Sequence, residues 1–174
     1  MSHEIQAMRH ESQLTIADSS PNDRQFIYDL LMNSGLFGKE DADCVDDMFR
    51  STWAALAADP NADTYHWLSC WHENTFAGYA CYGTESLTDG TWDLFWICVA
   101  PSTRGQGVGS QLLAEVLVRA KQHHARLMVI YTSSTEAYAP ARHLYESKGF
   151  TQAAVVNDYY HDGDHLYIYS KRLN

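Results

Sequence analysis

The stretch that decides the fold is Ile97-Cys98-Val99-Ala100-Pro101-Ser102-Thr103-Arg104-Gly105-Gln106-Gly107-Val108-Gly109. An apolar run ends at Val99, a short turn carries Arg104, and three glycines alternate after it. A strand that passes through a glycine-rich turn into a helix leaves backbone N–H groups unpaired at the positive end of the helix dipole. The stretch therefore predicts an anion site, best matched to a phosphate. The helix is indicated by apolar residues at helical spacing: Val108, Leu112, Leu113, Val116 and Leu117.

Two common phosphate-binding motifs do not fit the spacing of these glycines. A Walker A loop requires Lys followed by Ser or Thr after its last glycine, whereas Gly109 is followed by Ser110 and Gln111. The dinucleotide fingerprint requires a glycine at the sixth place counted from Gly105, and that place is Ser110. It also requires an acidic residue about twenty positions further on, where residues 125–127 are Ala, Arg and Leu.

The pattern Arg104-x-x-Gly107-x-Gly109 resembles motif A of the GCN5-related N-acetyltransferase (GNAT) family, in which this loop wraps the pyrophosphate of acetyl-CoA. Residues 141–150, Ala-Arg-His-Leu-Tyr-Glu-Ser-Lys-Gly-Phe, resemble the family's A-x-x-(L/F)-Y-x-x-x-G-F helix, which ends in glycine and leads into a strand. The two motifs stand in the family's order with one strand between them. The resemblance is specific over about residues 91–172 and is topological before that.

The resemblance implies an α/β fold in which a mixed sheet of six to seven strands is flanked by about four helices, the acyl-CoA N-acyltransferase architecture. The hydrophobic pattern predicts a compatible order of elements. We expect helices after Ser20-Pro21, over 40–56, from the glycine loop to 122, and over 140–148. We expect strands over 13–17, 65–72, 75–85, 91–99, 127–132, 150–157 and 165–172. The strand over 91–99 is apolar on both faces, which predicts a central position.

Composition limits the class of protein. A chain of 174 residues with 45% hydrophobic and 20% charged residues is typical of one soluble globular domain. We expect residues 1–12 to be a disordered tail and 13–174 to be a single domain. No apolar run is long enough to span a bilayer, and no apolar signal region begins the chain. We therefore expect no membrane association, a cytoplasmic location, and a monomer or homodimer.

Charge and metal-ligand spacing narrow the choice of partner. A net charge of −10 argues against a nucleic-acid surface. It suits a cationic substrate such as an amine, or it simply maintains solubility. The nine histidines form no H-x-x-x-H or H-E-x-x-H array, so we expect no metal site. The four cysteines lack C-x-x-C spacing and are predicted to be free thiols.

Acyl transfer to an amine requires the amine to be neutral. An alkylammonium of pKa about 10.4 is only about one part in a thousand neutral near physiological pH, a deficit of about 4 kcal/mol that a base can reduce. Asp93 is the candidate base, because it is the lone charge in its strand and many family members carry a glutamate there. A carboxylate paired to a neighbouring side chain is the alternative. The family's tyrosine at the place of Tyr145 often protonates the departing sulfur, so Tyr145 is the candidate acid, or else a core aromatic residue next to Leu144.

The resemblance also implies the cofactor contacts. The strand over 93–99 should separate from the strand over 127–132, and the pantetheine arm should pair with the exposed amides. Many relatives carry asparagine where this chain has Tyr138, so we expect the tyrosine to stack on the cofactor or hydrogen-bond to it. The predicted cofactor-binding residues are Ile97, Cys98, Val99, Arg104, Gly105, Gln106, Gly107, Val108, Gly109, Ser110 and Tyr138.

Acceptor contacts are predicted from two segments, 34–38 and 157–164, which supply Phe37, Tyr159 and Tyr160. Aromatic rings with carboxylates hold a cation, although a solvated turn with ordinary strand tyrosines has the same pattern. The leading hypothesis is an acetyl-CoA-dependent N-acetyltransferase for a primary amine of a small molecule or peptide. A non-catalytic acyl-CoA-binding or sensing module on the same fold is the alternative, followed by a phosphate-ligand binder without CoA chemistry.

Overall fold

The computed structural model describes residues 14–173. The predicted tail over 1–12, residue 13 of the first predicted strand, and residue 174 lie outside the described residues. The α-helices are α1 (Arg24–Asn33), α2 (Lys39–Ala58), α3 (Val108–Gln122) and α4 (Ala139–Ser147). The strands are β1 (Leu14–Asp18), β2 (His66–His72), β3 (Thr75–Thr84), β4 (Thr91–Val99), β5 (Leu127–Ser133), β6 (Thr151–His161) and β7 (Asp164–Arg172).

The strands form one sheet in the order β1-β2-β3-β4-β5-β7-β6. Strands β4 and β5 are parallel, and the other described neighbours are antiparallel. The predicted mixed sheet and the central place of β4 are confirmed. A β5 strand can lie parallel to β4 because α3 carries the chain back across the sheet, as parallel strands require. The predicted boundaries of the single domain remain a prediction.

Each face of the sheet is covered by its own hydrophobic cluster. Strand β4 contributes Leu94 to the cluster under α3 and α4, and Cys98 to the cluster under α1 and α2. Positions 94 and 98 would share a face in a regular strand, but a one-residue bulge in the pairing of β3 with β4 between them reverses the alternation. The first cluster includes Leu68, Tyr82, Leu112, Leu113, Met128 and Tyr169. The second includes Ile27, Leu31, Val45, Phe49, Trp67 and Tyr79. All four cysteines are free thiols, as predicted.

Strands β4 and β5 stay together only at their beginnings. Their paired residues run from Thr91 with Leu127 to Asp93 with Val129, and β5 then continues along β7 to Ser133. A bulge in the pairing of β3 with β4 falls next to this point, and it leaves Phe95 as the extra residue of β4. The strands therefore part in the middle of the sheet and open a cleft between them.

The last hairpin differs from its prediction. Strand β6 continues to His161 instead of ending near 157, so Tyr159 and Tyr160 lie on a strand and a turn at Asp162-Gly163 leads into β7. Pairing of His161 with Asp164 holds this end of the hairpin together. Polar residues such as Asn157 and Asp158 favour a turn locally, and the pairing of β6 with β7 is interrupted between Val156 and His161, but it resumes at His161.

A testable consequence concerns the close approach of α3 to β3. A Cβ atom at Gly78 would lie 2.7 Å from the carbonyl oxygen of Cys98 and 3.1 Å from Cδ1 of Leu112. Gly78→Ala should therefore force the backbone apart and lower the free energy of unfolding by about 1–3 kcal/mol. Urea denaturation followed by circular dichroism measures this difference.

Gly83→Ala is the matched control on the same strand. A Cβ atom at Gly83 would make ordinary contacts, the nearest 3.5 Å from Cε2 of Phe95. This variant should be neutral, or stabilising by about 0.5 kcal/mol, because alanine restricts the unfolded chain. Equal stability of the Gly78 and Gly83 variants would contradict the tight packing of α3 on β3.

Candidate active site

The glycine loop presents a row of unpaired backbone N–H groups at the start of α3. Gly105 and Gly107 have φ angles of +75° and +83°, which glycine adopts without strain. The first helical hydrogen bond runs from the N–H of Gln111 to the carbonyl of Gly107, at 3.0 Å. Among the described residues no acceptor bonds the N–H groups of five loop positions, which are Gly105, Gly107, Val108, Gly109 and Ser110. Together with the helix dipole they form a site for an anion.

Two polar side chains of the loop have structural partners. The N–H of Gln106 donates to the carbonyl of Thr103 at 3.3 Å, and its Nε2 donates to the carbonyl of Ser102 at 3.1 Å. Gln106 thus braces the loop, and its backbone N–H is not free to bind a ligand. Arg104 donates from Nη2 to the carbonyl of Ser34 at 2.7 Å, which ties the loop to the end of α1.

A cavity of about 590 Å³, here called the loop cavity, opens beside these N–H groups. Of the predicted cofactor residues, three do not line it: Cys98, Gln106 and Tyr138. The predicted residues that line it are Ile97, Val99, Arg104, Gly105, Gly107, Val108, Gly109 and Ser110.

The register of β4 explains why Cys98 is absent from the cleft. Ala100 donates its N–H to Ala77 of the β3 side, and Cys98 pairs with Tyr79 in the same ladder. Alternate residues of a strand direct their backbone groups to opposite edges. The backbone groups of Ile97 and Val99 therefore face the side from which β5 has departed, whereas those of Cys98 face β3. Burial raises the pKa of the Cys98 thiol to about 12, so the thiol is an inert core group.

A second cavity of about 430 Å³, here called the acceptor cavity, lies on the other side of the cleft. It shares Leu36, Ile97 and Ala141 with the loop cavity, so the two cavities meet at these residues. Its other lining residues include Phe37, Asp41, Phe95, Trp96, Tyr131, Thr132, Ser133, Tyr138, Tyr145, Tyr160 and Asp164.

The four aromatic residues predicted to contact a ligand differ in their positions relative to the acceptor cavity. Phe37 and Tyr160 line it, whereas Tyr159 is 59% exposed and packs edge-on against the ring of Tyr160, with centroids 5.0 Å apart. Tyr138 was predicted on the cofactor side, but it lines the acceptor cavity, where its ring contacts Phe37 with centroids 6.4 Å apart. A helix start over 136–139 turns Tyr138 away from the loop.

Tyr145 presents an unpaired phenol to the acceptor cavity. The residue is only 5% exposed, and its hydroxyl has no hydrogen-bond partner in the described part of the chain. Its ring packs against Tyr169, whose own hydroxyl donates to Glu146 at 2.9 Å. Burial raises the pKa of Tyr145, and the neighbouring Tyr138 and Tyr169 raise it further. The phenol is therefore protonated at neutral pH and can donate a hydrogen bond to an anion that forms beside it.

Asp93 lies at the last paired position of β4, opposite Val129, just before the strands part. The alternative prediction of a carboxylate paired to a neighbouring side chain is wrong, because its buried Oδ1 has no hydrogen-bond partner among residues 14–173. Burial raises the pKa of Asp93 to about 7, and the charge of Glu85 adds to the rise. Asp93 lines neither of the two cavities, so proton transfer between it and a ligand in either one would require a bridging water molecule.

Two carboxylates that the sequence pattern does not single out line the acceptor cavity: Asp41, which lies outside the predicted acceptor segments, and Asp164, the last residue of the predicted segment 157–164. Asp41 resembles a helix cap, since it accepts the N–H of Gly38 at 2.8 Å, and Asp164 resembles a turn residue. Within residues 14–173 no group of three or more His, Cys, Asp and Glu side chains is arranged to hold a metal ion. None of the described helices has the length and apolar character to cross a membrane.

Comparisons with known proteins agree with this architecture. The family model described as the acetyltransferase (GNAT) family matches residues 25–150. A comparison with curated protein sequences found no significant match. Among solved structures, one described as a GNAT-family acetyltransferase from Desulfovibrio desulfuricans is 32% identical with a TM-score of 0.84, and the match covers 93% of this chain and 100% of that chain.

Two further structures share the fold at lower identity. The ribosomal-protein-S18-alanine N-acetyltransferase from Escherichia coli is 19% identical with a TM-score of 0.74, covering 93% of this chain and 95% of that chain. An acetyltransferase from Salmonella typhimurium, solved with its cofactor acetyl-CoA, is 20% identical with a TM-score of 0.74, covering 94% of this chain and 95% of that chain.

Gly107→Val tests the glycine loop as a phosphate cradle. A Cβ atom at Gly107 would meet no atom within 4 Å, so it would project into the space beside the free N–H groups. We expect the affinity for CoA to fall about tenfold or more, equivalent to about 1.4 kcal/mol, because the backbone can no longer approach a phosphate. Isothermal titration calorimetry measures the dissociation constant.

Gly163→Val is the control for backbone strain. Gly163 has the same φ of +83° and an equally open Cβ position, but it lies in the turn between β6 and β7 and lines neither cavity. Both variants should lose about 1–3 kcal/mol of stability from the left-handed backbone, and only the Gly107 variant should lose CoA. Unchanged CoA affinity in a folded Gly107→Val protein would refute the cradle.

Proposed function

The chain belongs to the acetyltransferase (GNAT) family, and on that premise we propose that it transfers the acetyl group of acetyl-CoA to a primary amine of a small molecule or peptide. One observation carries this proposal. The loop cavity and the acceptor cavity meet at Ile97 and Ala141, where β4 and β5 part. A thioester that enters from the loop side and an amine that enters from the aromatic side therefore converge on one point.

The loop cavity suits the cofactor's pyrophosphate and pantetheine. The free N–H groups at the start of α3 suit a diphosphate, and Arg104 lies beside them with a second role in holding Ser34. The backbone groups of Ile97 and Val99 face the opening left by β5. An extended amide-bearing arm can pair with them as an added strand does, which leads the thioester to the junction of the cavities.

The chemistry requires one proton to leave the amine and one to reach the sulfur. The neutral amine attacks the thioester carbon, the developing negative oxygen accepts a backbone N–H of β4, and the C–S bond then breaks. Asp93, with a pKa near neutrality, takes the amine proton through water. Tyr145 gives its proton to the departing thiolate, and the phenolate is reprotonated from solvent. The reaction is direct, without an acyl-enzyme.

Other parts of the proposal rest on composition. With a net charge of −10, we propose an amine acceptor rather than a nucleic-acid partner. Action in the cytoplasm, as a monomer or homodimer, remains a prediction.

Tyr145→Phe tests the proposed reaction in an assay of thiol release from acetyl-CoA with a panel of primary amines. If Tyr145 is the acid, kcat for the best amine should fall on the order of 10²-fold while acetyl-CoA binding changes little, because only one hydroxyl is lost. Tyr169→Phe is the control, since its ring contacts Tyr145 but its hydroxyl bonds Glu146 instead of facing the cavity. It should retain kcat.

The same assay separates the alternatives. Near wild-type kcat in Tyr145→Phe, with chemistry shown to limit turnover, would leave Tyr145 a packing residue. Tight acetyl-CoA binding with no thiol release for any amine would indicate a non-catalytic acyl-CoA-binding or sensing module.

Asp93→Asn tests the base through two pH profiles. The kcat/KM of the wild-type protein should rise as pH increases through about 7, where Asp93 ionises, and the variant should lack this limb while keeping the limb from ionisation of the amine. The pKa of Asp93 is higher in the folded protein than in the unfolded chain. The free energy of unfolding of the wild type should therefore fall as pH rises from about 4 to about 7, by at most about 4 kcal/mol. That part of the decline should be missing in the variant.

Stopped assays across pH and urea denaturation across pH measure the two profiles. An unaltered acidic limb in Asp93→Asn would remove Asp93 from the mechanism even if its effect on stability is found.

A further inference from the structure

The acceptor cavity contains carboxylates but no basic residue. Asp41 and Asp164 line it, and no Lys, Arg or His is present among its described lining residues. The contrast with the rest of α2 is clear, because Asp43, Asp46 and Asp47 each form an ion pair with a Lys or Arg. Asp41 has no such partner within residues 14–173.

Asp164 is held rigidly at the edge of this cavity. It is 6% exposed, and its Oδ1 accepts hydrogen bonds from Oγ of Ser133 at 2.6 Å, from the N–H of Ser134 at 3.2 Å and from Oγ of Ser134 at 3.4 Å. Its Oδ2 has one basic neighbour, Nε2 of His161 at 3.7 Å, on a side chain that is 70% exposed. One oxygen is thus fixed by three donors, and the other is available to a ligand.

Aromatic rings stand beside the two carboxylates. The ring of Phe37 contacts Trp96 and Tyr138 edge-on, with centroids 5.5 Å and 6.4 Å apart. Burial raises the pKa of Tyr138, and the charges of Asp41 and Asp164 raise it further, so the phenol lies within the field of both. Rings and carboxylates together suit an alkylammonium group, which gains cation–π attraction and a charge-assisted hydrogen bond.

The positive charge that balances these two carboxylates must remain on the ligand throughout the reaction. The buried, unpaired phenol of Tyr145 marks the end of the same cavity at which the thioester would react. The reacting amine is neutral when it attacks, and its amide product is neutral as well. An acceptor whose only ammonium group must lose its proton to react would therefore leave both carboxylates without a counter-charge when the amine attacks the thioester.

We propose that the acceptor is an aliphatic primary amine with a second cationic group, and that Asp164 and Asp41, with the rings of Tyr138 and Phe37, hold that second group. This proposal rests on the proposed function of N-acetyl transfer. It makes Asp164 and Asp41 specificity-determining residues, whereas Tyr145 and Asp93 act on the reacting atoms.

The test compares linear diamines of three to six carbons with the amino alcohols of equal length, using thiol release from acetyl-CoA by the full chain. We expect kcat/KM for the best diamine to exceed that for its amino alcohol by about tenfold or more, since a charge-assisted contact is lost with the hydroxyl. Asp164→Asn should reduce this ratio to about twofold or less, chiefly through the KM of the diamine. Asp162→Asn removes an equal charge from the nearby turn, outside both cavities, and should preserve the ratio.

Asp41→Asn provides a second test of the ratio of kcat/KM for the diamine to that for the amino alcohol. This test does not depend on whether the Asp164→Asn variant folds. A wild-type ratio near one would overturn the proposal and leave acetyl transfer to amines intact. A high ratio that survives both substitutions would overturn the assignment to these carboxylates. Acetyl-CoA binding without thiol release from any amine would instead refute the proposed function itself.

Discussion

The separation of β4 from β5 is the constraint on which the rest of the structure depends. Backbone N–H and C=O groups in a sheet interior need partners, yet beyond the pair of Asp93 with Val129 these two strands provide none for each other. The β4 edge at Ile97 and Val99 is thus left for a ligand with amide groups of its own. The bulge at Phe95 adds to the divergence, because it re-aims the strand at the point where the cleft begins.

Around this cleft the protein holds several polar groups that the fold itself does not satisfy. The N–H groups at the start of α3, the phenol of Tyr145 and Oδ1 of Asp93 all lack partners within residues 14–173. Each unpaired buried group costs stability. The loop N–H groups and the phenol of Tyr145 lie beside two adjoining cavities, which is typical of a site in which a ligand or water completes the hydrogen bonds, whereas Asp93 lines neither cavity.

The two halves of the site are physically connected. Arg104 of the glycine loop holds the carbonyl of Ser34, and Leu36, two residues further on, lines both cavities. The segment that follows carries Phe37 into the acceptor cavity and leads to Asp41 on α2. The position of the acceptor wall is therefore tied to the glycine loop.

The sequence by itself determined the features that arise from local chemistry. Glycines that tolerate positive φ, a following apolar helical stripe and the tyrosine of a short helix before a glycine are enough to predict the loop, α3 and α4. The mixed sheet follows from the order of the apolar strands together with the resemblance to the family. Tertiary structure decided what depends on register and on distant segments. The alternation of residues along β4 directs the backbone groups of Cys98 toward β3 and away from the cleft. The helix start at 136–139 directs Tyr138 to the acceptor side. Asp41 and Asp164 come from opposite ends of the chain, and each resembles an ordinary cap or turn residue. Only long-range packing brings them to one cavity, because pairing between distant strands and helices leaves no signal in local sequence.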